Sequence, residues 1–156
     1  MMQMRINKGV KQYIFGIMDA CTRRIMAVRN YENSTANCAV DCLRKAILDN
    51  GRKVPKVLYT DNGLMFTSLA FEDFCTEMGI QHHRTNPGSP WENGKIERLP
   101  GTIRREWIAY RRYMKTESLR ESLEEFRHWF NNEREIQKLE YKTPMQIMKE
   151  KSPQLL

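Results

Sequence analysis

The four cysteines of this chain form no Cys-x-x-Cys pair, and no apolar run approaches the roughly 20 residues that a membrane-spanning helix needs. The first absence removes the usual structural zinc spacings. Cys38 and Cys42 lie four apart on an expected helix and could in principle share a metal. Together with Cys21 and Cys75 they read instead as free, buried thiols of a reducing compartment. A disulfide framework is not expected in a chain of 156 residues. The N-terminus, Met1-Met2-Gln3-Met4-Arg5, carries no signal-peptide pattern, so a soluble cytoplasmic protein with no membrane partner is expected. There is no internal repeat, no low-complexity tract and no Pro/Gly/Ser-rich linker, which leaves one compact domain with its own core. Acidic residues are the scarcer charge. With 26 Lys and Arg against 19 Asp and Glu, the formal charge is +7, and the expected partner is a polyanion.

Much of that positive excess is concentrated. Between Lys95 and Lys115 stand seven basic residues (Lys95, Arg98, Arg104, Arg105, Arg111, Arg112, Lys115) against two acidic ones, Glu97 and Glu106. Upstream, period-two alternation predicts strands over 3–7, 12–19 and 25–31, an antiparallel meander closed at Asp19 by a turn. Helical spacing of Ala36, Ala39, Val40, Leu43 and Ile47 predicts a helix from Thr35 to Asn50, stopped by Gly51. A short strand over 56–60, a helix over 66–78 capped by Thr67 or Ser68, and a strand over 80–84 follow. Ser89 and Glu92 form a capping-box pattern with Pro90 at the first helical position. The helix so begun carries the stripe Ile96, Leu99, Ile103, Trp107, Tyr110, and Pro100-Gly101 should kink or break it. An amphipathic helix over 118–130 and a short capped one at Thr143 complete the chain. Trp107 and Trp129 are assigned to the core.

Two carboxylates stand out by their surroundings. Asp61 ends the β-rich run Val57-Leu58-Tyr59-Thr60 and opens the turn Asp61-Asn62-Gly63. Glu97 lies thirty-five intervening residues later, inside Ser89-Pro90-Trp91-Glu92-Asn93-Gly94-Lys95-Ile96-Glu97-Arg98. One carboxylate at a strand end and one on a helix can converge on hard divalent cations, and two such ions ~4 Å apart clamp both oxygens of a phosphodiester displacement. The plainer reading makes Asp61 a turn residue and Glu97 a solvated helix charge. The joint occurrence of the two contexts favours the metal site.

These segments resemble a known family. Tyr13-Ile14-Phe15-Gly16-Ile17-Met18-Asp19, Thr60-Asp61-Asn62-Gly63, Pro87 to Arg98, and Phe130-Asn131-Asn132-Glu133-Arg134 with Tyr141-Lys142-Thr143-Pro144 are similar to motifs of the retroviral-integrase superfamily. Specifically, they resemble prokaryotic insertion-sequence transposases with an Asp-Asp-Glu site. The resemblance implies an α/β, ribonuclease H-like fold: a mixed five-stranded sheet with helices on both faces, plus C-terminal helices. It implies an integrase-like catalytic core over 1–115 and a helical extension of the same domain over 116–156. It further implies in-line attack of water or a DNA 3′-hydroxyl on a phosphodiester, assisted by two Mg²⁺ or Mn²⁺ ions. Carried over, Asp61 is the second acidic ligand and Glu97 the third. Asn62 and Gly63 shape the turn beside the metal, and Asn93, Lys95, Arg98 and Arg105 contact DNA. The partners implied are transposon ends and target DNA, bound by a homo-oligomer in a prokaryotic, nucleoid-associated setting.

One slot does not match. The family's first acidic ligand belongs on the first strand, at or just before Met1, and residues 1–8 contain no Asp or Glu. A core truncated at its N-terminus is therefore expected, as in a decayed insertion element. Asp19 is the available substitute, although its position also suits a turn residue bonded to Thr22. Three readings stay open: a strand-transferring core, a DNA-binding remnant or regulator without catalysis, and a ribonuclease H-like nuclease using Asp19, Asp61 and Glu97. His82 and His83 read either as DNA contacts or as exposed strand-end residues.

Overall fold

The computed structural model describes residues 1–6, 9–85, 98–109, 113 and 115–151. Alternation in the first thirty-one residues yields three antiparallel strands, β1 (Met2–Arg5), β2 (Lys11–Met18) and β3 (Ile25–Tyr31), in the order β1-β2-β3. Successive side chains of β2 and β3 point to opposite faces, so Ile14 and Val28 enter one core while Phe15 and Ala27 enter the other. Helix α1 (Ala36–Asp49) lays Ala39, Cys42, Leu43, Ala46 and Ile47 on the Phe15 face. β4 (Val57–Thr60) then leads through α2 (Leu69–Glu77) to β5 (Gln81–Arg84), which pairs with β4 in parallel. Ser68 caps α2, its hydroxyl accepting the Phe71 N–H at 3.4 Å. Phe71, Phe74 and Cys75 of α2 join the core that α1 builds.

The opposite face is covered by the second half of the chain. Leu99 and Ile103, then Leu119, Leu123, Phe126 and Phe130 of α3 (Thr116–Asn132), pack with Ile14, Ile25 and Val28. Trp107 and Trp129 are half-buried against this core, as expected, and the Trp107 indole donates to the Ser122 carbonyl at 2.9 Å. Helix α4 (Pro144–Lys151) starts with a reciprocal cap, Gln146 N–H to Thr143 Oγ1 at 3.2 Å and Thr143 N–H to Gln146 Oε1 at 2.7 Å. The Asn131 amide forks onto one residue of the outer edge of β3. It accepts the Ile25 N–H at 2.8 Å and donates to the Ile25 carbonyl at 2.9 Å.

Two expectations need correction. The described strands form a three-stranded antiparallel sheet and a separate two-stranded parallel pair, not one continuous five-stranded sheet. β1 pairs with β2 from Met2 opposite Ile14 to Arg5 opposite Lys11, and no described strand pairs with both β2 and β4. Pro100 and Gly101 do not break their helix either: residues 98–102 are helical and run into a π-helical stretch, Ile103–Ile108. The π-helical widening is seen in the Ala109 N–H bonded to the Arg104 carbonyl five residues back at 2.9 Å, and the turn preceding Pro100 lies outside the described residues. The capping box at Ser89 and Glu92, and the stripe residues Ile96 and Tyr110, lie outside the described residues.

Candidate active site at the end of strand β4

β4 ends at Thr60, and the chain turns sharply through Asp61-Asn62-Gly63. The turn is built by its own side chains. Asp61 Oδ1 accepts the Gly63 N–H at 2.9 Å, closing an Asx turn, and Asn62 Nδ2 donates to the Thr85 carbonyl just beyond β5 at 2.9 Å. Thr85 answers with its N–H and hydroxyl on the Thr60 carbonyl, at 2.9 and 3.2 Å. Gly63 leaves room for this bond: a Cβ there would lie 2.9 Å from Asp61 Oδ1, which would have to shift. The carboxylate is thus exposed yet held in one orientation at the lip of a cavity of about 860 Å³.

Asp19 lines the same cavity from the β2–β3 turn. Its Oδ2 is engaged by the Thr22 N–H at 2.8 Å and the Thr22 hydroxyl at 2.5 Å, the turn bonding its position suggested. Glu97, Asn93 and Lys95 lie outside the described residues. Arg98 and Arg105 are described and both are exposed, as is Arg104. Leu99 sits hard against β2, its Cδ2 2.7 Å from where a Cβ on Gly16 would be, so the helix following Glu97 packs directly over the sheet. Among the described residues no group of three or more His, Cys, Asp or Glu is placed to hold a metal ion. The exposed carboxylate of Asp61 is a hard oxygen donor of the kind Mg²⁺ takes, since that ion uses one or two protein carboxylates and completes its shell with water and phosphate oxygens.

His82 behaves differently from either sequence reading, whereas His83 is exposed at the strand end, as one of them had it. The His82 side chain is only 3% exposed, its Nδ1 3.0 Å from Glu72 Oε2 and its Nε2 2.8 Å from Thr60 Oγ1. Thr60 in turn donates to the Asp61 carbonyl at 3.0 Å, so a part-buried chain from α2 through β5 supports the backbone of Asp61. Period two along β5 was the available signal: His82 points inward with Leu58 and Thr60, and His83 points out. His83 is exposed and stacks on Tyr59 with ring centres 5.5 Å apart. Cys38 is a half-buried and Cys42 a buried free thiol. Burial pushes the Cys42 thiol up to about 12, and Cys38 Sγ is bonded to Asn33 Oδ1 at 3.0 Å. Cys75 is a buried free thiol as expected, whereas Cys21 is exposed because it lies in the turn after β2.

Two models of the family described as "Integrase core domain" match the chain, one over residues 1–90 and one over 78–144. The chain belongs to the integrase core domain family. A tobacco (Nicotiana tabacum) Pol polyprotein of transposon TNT 1-94 is 47% identical over 55 residues, covering 35% of this chain and 4% of that protein. The transposase of insertion element IS904 from Lactococcus lactis is 24% identical over 141 residues, covering 88% of this chain and 54% of the transposase. The chain therefore spans about half of that relative's length and far less of the polyprotein. Among solved structures, the magnesium complex of the HTLV-2 integrase catalytic core domain superposes with a TM-score of 0.72 at 21% identity, over 94% of this chain and 90% of that one. At that identity the likeness establishes a shared mixed α/β fold.

Proposed function

We propose that this chain is the catalytic core of a DNA transposase or integrase, acting on phosphodiesters by DNA cleavage and strand transfer. The observation that carries the reading is the presentation of Asp61. Its carboxylate stands exposed at a strand end, oriented by the Gly63 N–H and backed by the His82–Thr60 bond. Asp61 and Glu97 are the carboxylates assigned to Mg²⁺ or Mn²⁺, two ions in the active state, with Asp19 as the weaker candidate. When bound, such ions lower the pKa of the attacking hydroxyl and stabilise charge on the transferring phosphoryl group. The protein's part is to hold the carboxylates still and to seat the DNA backbone. Asn62 and Gly63 shape the turn, and Asn93, Lys95, Arg98 and Arg105 are assigned to DNA. Residues 116–156 are read as an extension of the domain formed by 1–115, within a ribonuclease H-like architecture. A homo-oligomer on transposon ends and target DNA, in a prokaryotic cytoplasm at the nucleoid, belongs to the same reading. Among the described residues, no helix is long and apolar enough to cross a membrane.

A second reading, a DNA-binding regulator without catalysis, rests on residues 1–8 holding no Asp or Glu where the resemblance puts the first acidic ligand. Nicking of supercoiled plasmid with Mg²⁺ or Mn²⁺ separates the possibilities. Nicking abolished by Asp61→Asn and Glu97→Gln but indifferent to Asp19→Asn supports the transposase core. Loss with Asp19→Asn as well indicates a nuclease using all three acids. No nicking, with salt-sensitive DNA binding retained, supports the regulator.

A further inference from the structure

Two aromatic rings stand uncovered on the strands that lead to Asp61. Tyr59 of β4 and His83 of β5 are register partners in the parallel pair, and their rings stack with centres 5.5 Å apart and planes 24° from parallel. Period two sets them apart from their neighbours. Leu58 joins the core of α1 and α2, and His82 meets Phe71 of α2 edge-on, while Tyr59 and His83 stand on the other face. Tyr59 is 55% exposed and Val57, two positions earlier, 38%. His83 is exposed as well. A tyrosine that serves a core buries most of its ring. This one does not.

The surroundings select the occupant. Lys56, Gln81 and Arg84 border the two rings and all are exposed, so an apolar protein face docked here would meet cations at its rim. A polyanion that carries flat rings suits both features, because each nucleobase offers a π-face and each phosphate a negative charge. Position narrows the choice. Tyr59 lines the same cavity as Asp61 and stands two residues before it, roughly 7 Å along an extended chain. Successive phosphates of one DNA strand lie ~3.4 Å apart along the helix axis. A base on Tyr59 is therefore within about two nucleotides of a phosphate at Asp61. Inside a duplex each base is already stacked between its neighbours, so the base that reaches Tyr59 is an unpaired one. Both rings stand on paired strands, which hold a site more precisely than a loop does.

We propose that Tyr59 and His83 form a stacking platform for an unpaired nucleobase of the DNA strand whose phosphate is held at Asp61. The platform rests on the DNA-processing reading and adds to it the state of the substrate, which is single-stranded beside the bond that reacts.

The test compares a blunt duplex with the same duplex carrying a short single-stranded thymidine tail, placed on each strand in turn. Fluorescence anisotropy gives the affinity for each DNA. The ratio of tailed to blunt affinity is the readout, because it cancels any general change in binding to the phosphate backbone. In the parent, one stacked base should favour a tailed duplex by about 5- to 150-fold. Tyr59→Ala should bring that ratio close to one, and Tyr59→Phe, which keeps the ring, should preserve it. A parent ratio near one with both tails, or a Tyr59→Ala ratio equal to the parent's, overturns the platform and leaves the DNA-processing reading standing. The second of these results is the one expected if the pair serves only to hold β4 to β5. A parent that binds neither DNA overturns both. Should Tyr59→Ala not fold, His83→Ala takes its place in the comparison, with the same outcomes.

Discussion

Gly63 and Asp61 show how closely a single side chain is specified at this site. Adding one methyl at Gly63 places a carbon 2.9 Å from the Asp61 carboxylate oxygen, so Gly63→Ala must shift that oxygen in its Asx turn. A misplacement near 1 Å costs on the order of 10²-fold in rate. Plasmid nicking by Gly63→Ala should therefore fall by that order while its thermal midpoint stays near that of the parent. Unchanged nicking would show that the orientation of Asp61 is not what the reaction uses. The turn was legible from Asp61-Asn62-Gly63, because an Asx turn is local. The chain from Glu72 through His82 and Thr60 was not, because it depends on which face of β5 meets α2.

At the scale of elements, α3 is tied to the sheet through polar as well as apolar contacts. The Asn131 fork satisfies both backbone groups of Ile25 on an otherwise open strand edge. Asn131→Leu leaves a buried donor and acceptor without partners, at about 1–3 kcal/mol each. Urea unfolding should show a loss of about 2–4 kcal/mol, and a loss below half that would mean water replaces the amide. A second tie runs from the π-helical stretch to the chain just beyond α3, where Arg134 grips Glu106 with bonds of 2.5 and 2.7 Å. The bond from Arg134 holds the Glu106 carboxyl below its ordinary value of 4.5. A depressed folded-state pKa stabilises the protein above the unfolded value, and that stability is lost as pH falls through the folded one. Glu106→Gln should accordingly lower the thermal midpoint at pH 7, and the difference from the parent should shrink as pH falls below the ordinary carboxylate range. A difference that persists in acid would assign the tie to packing over the charge. Helix α3 was readable from its apolar spacing, whereas the π-helical widening after Pro100 was not. Propensity marks proline as a breaker, but surrounding core contacts from Leu99 and Ile103 kept the segment helical.

For the whole molecule the relevant quantities are charge and closure. The basic excess between 95 and 115 includes the exposed Arg98, Arg104 and Arg105. If these neutralise phosphates, each alanine substitution should reduce the slope of log K against log salt by about 0.9 on duplex DNA. Titrations at several salt concentrations measure this directly, and an unaltered slope would place the DNA elsewhere on the surface. Strands and helices come from period-two and period-3.6 patterns within a few residues, and the sequence alone determined their order here. It also determined the Asp61 turn and the membership signalled by the motifs. What waited for the tertiary structure was pairing over distance: the stop of β1 at Met2, the cavity between β2 and β4, and the inward turn of His82. Those depend on which backbone edges find each other. No local pattern encodes that, because a hydrogen-bond ladder is specified jointly by segments far apart in the chain.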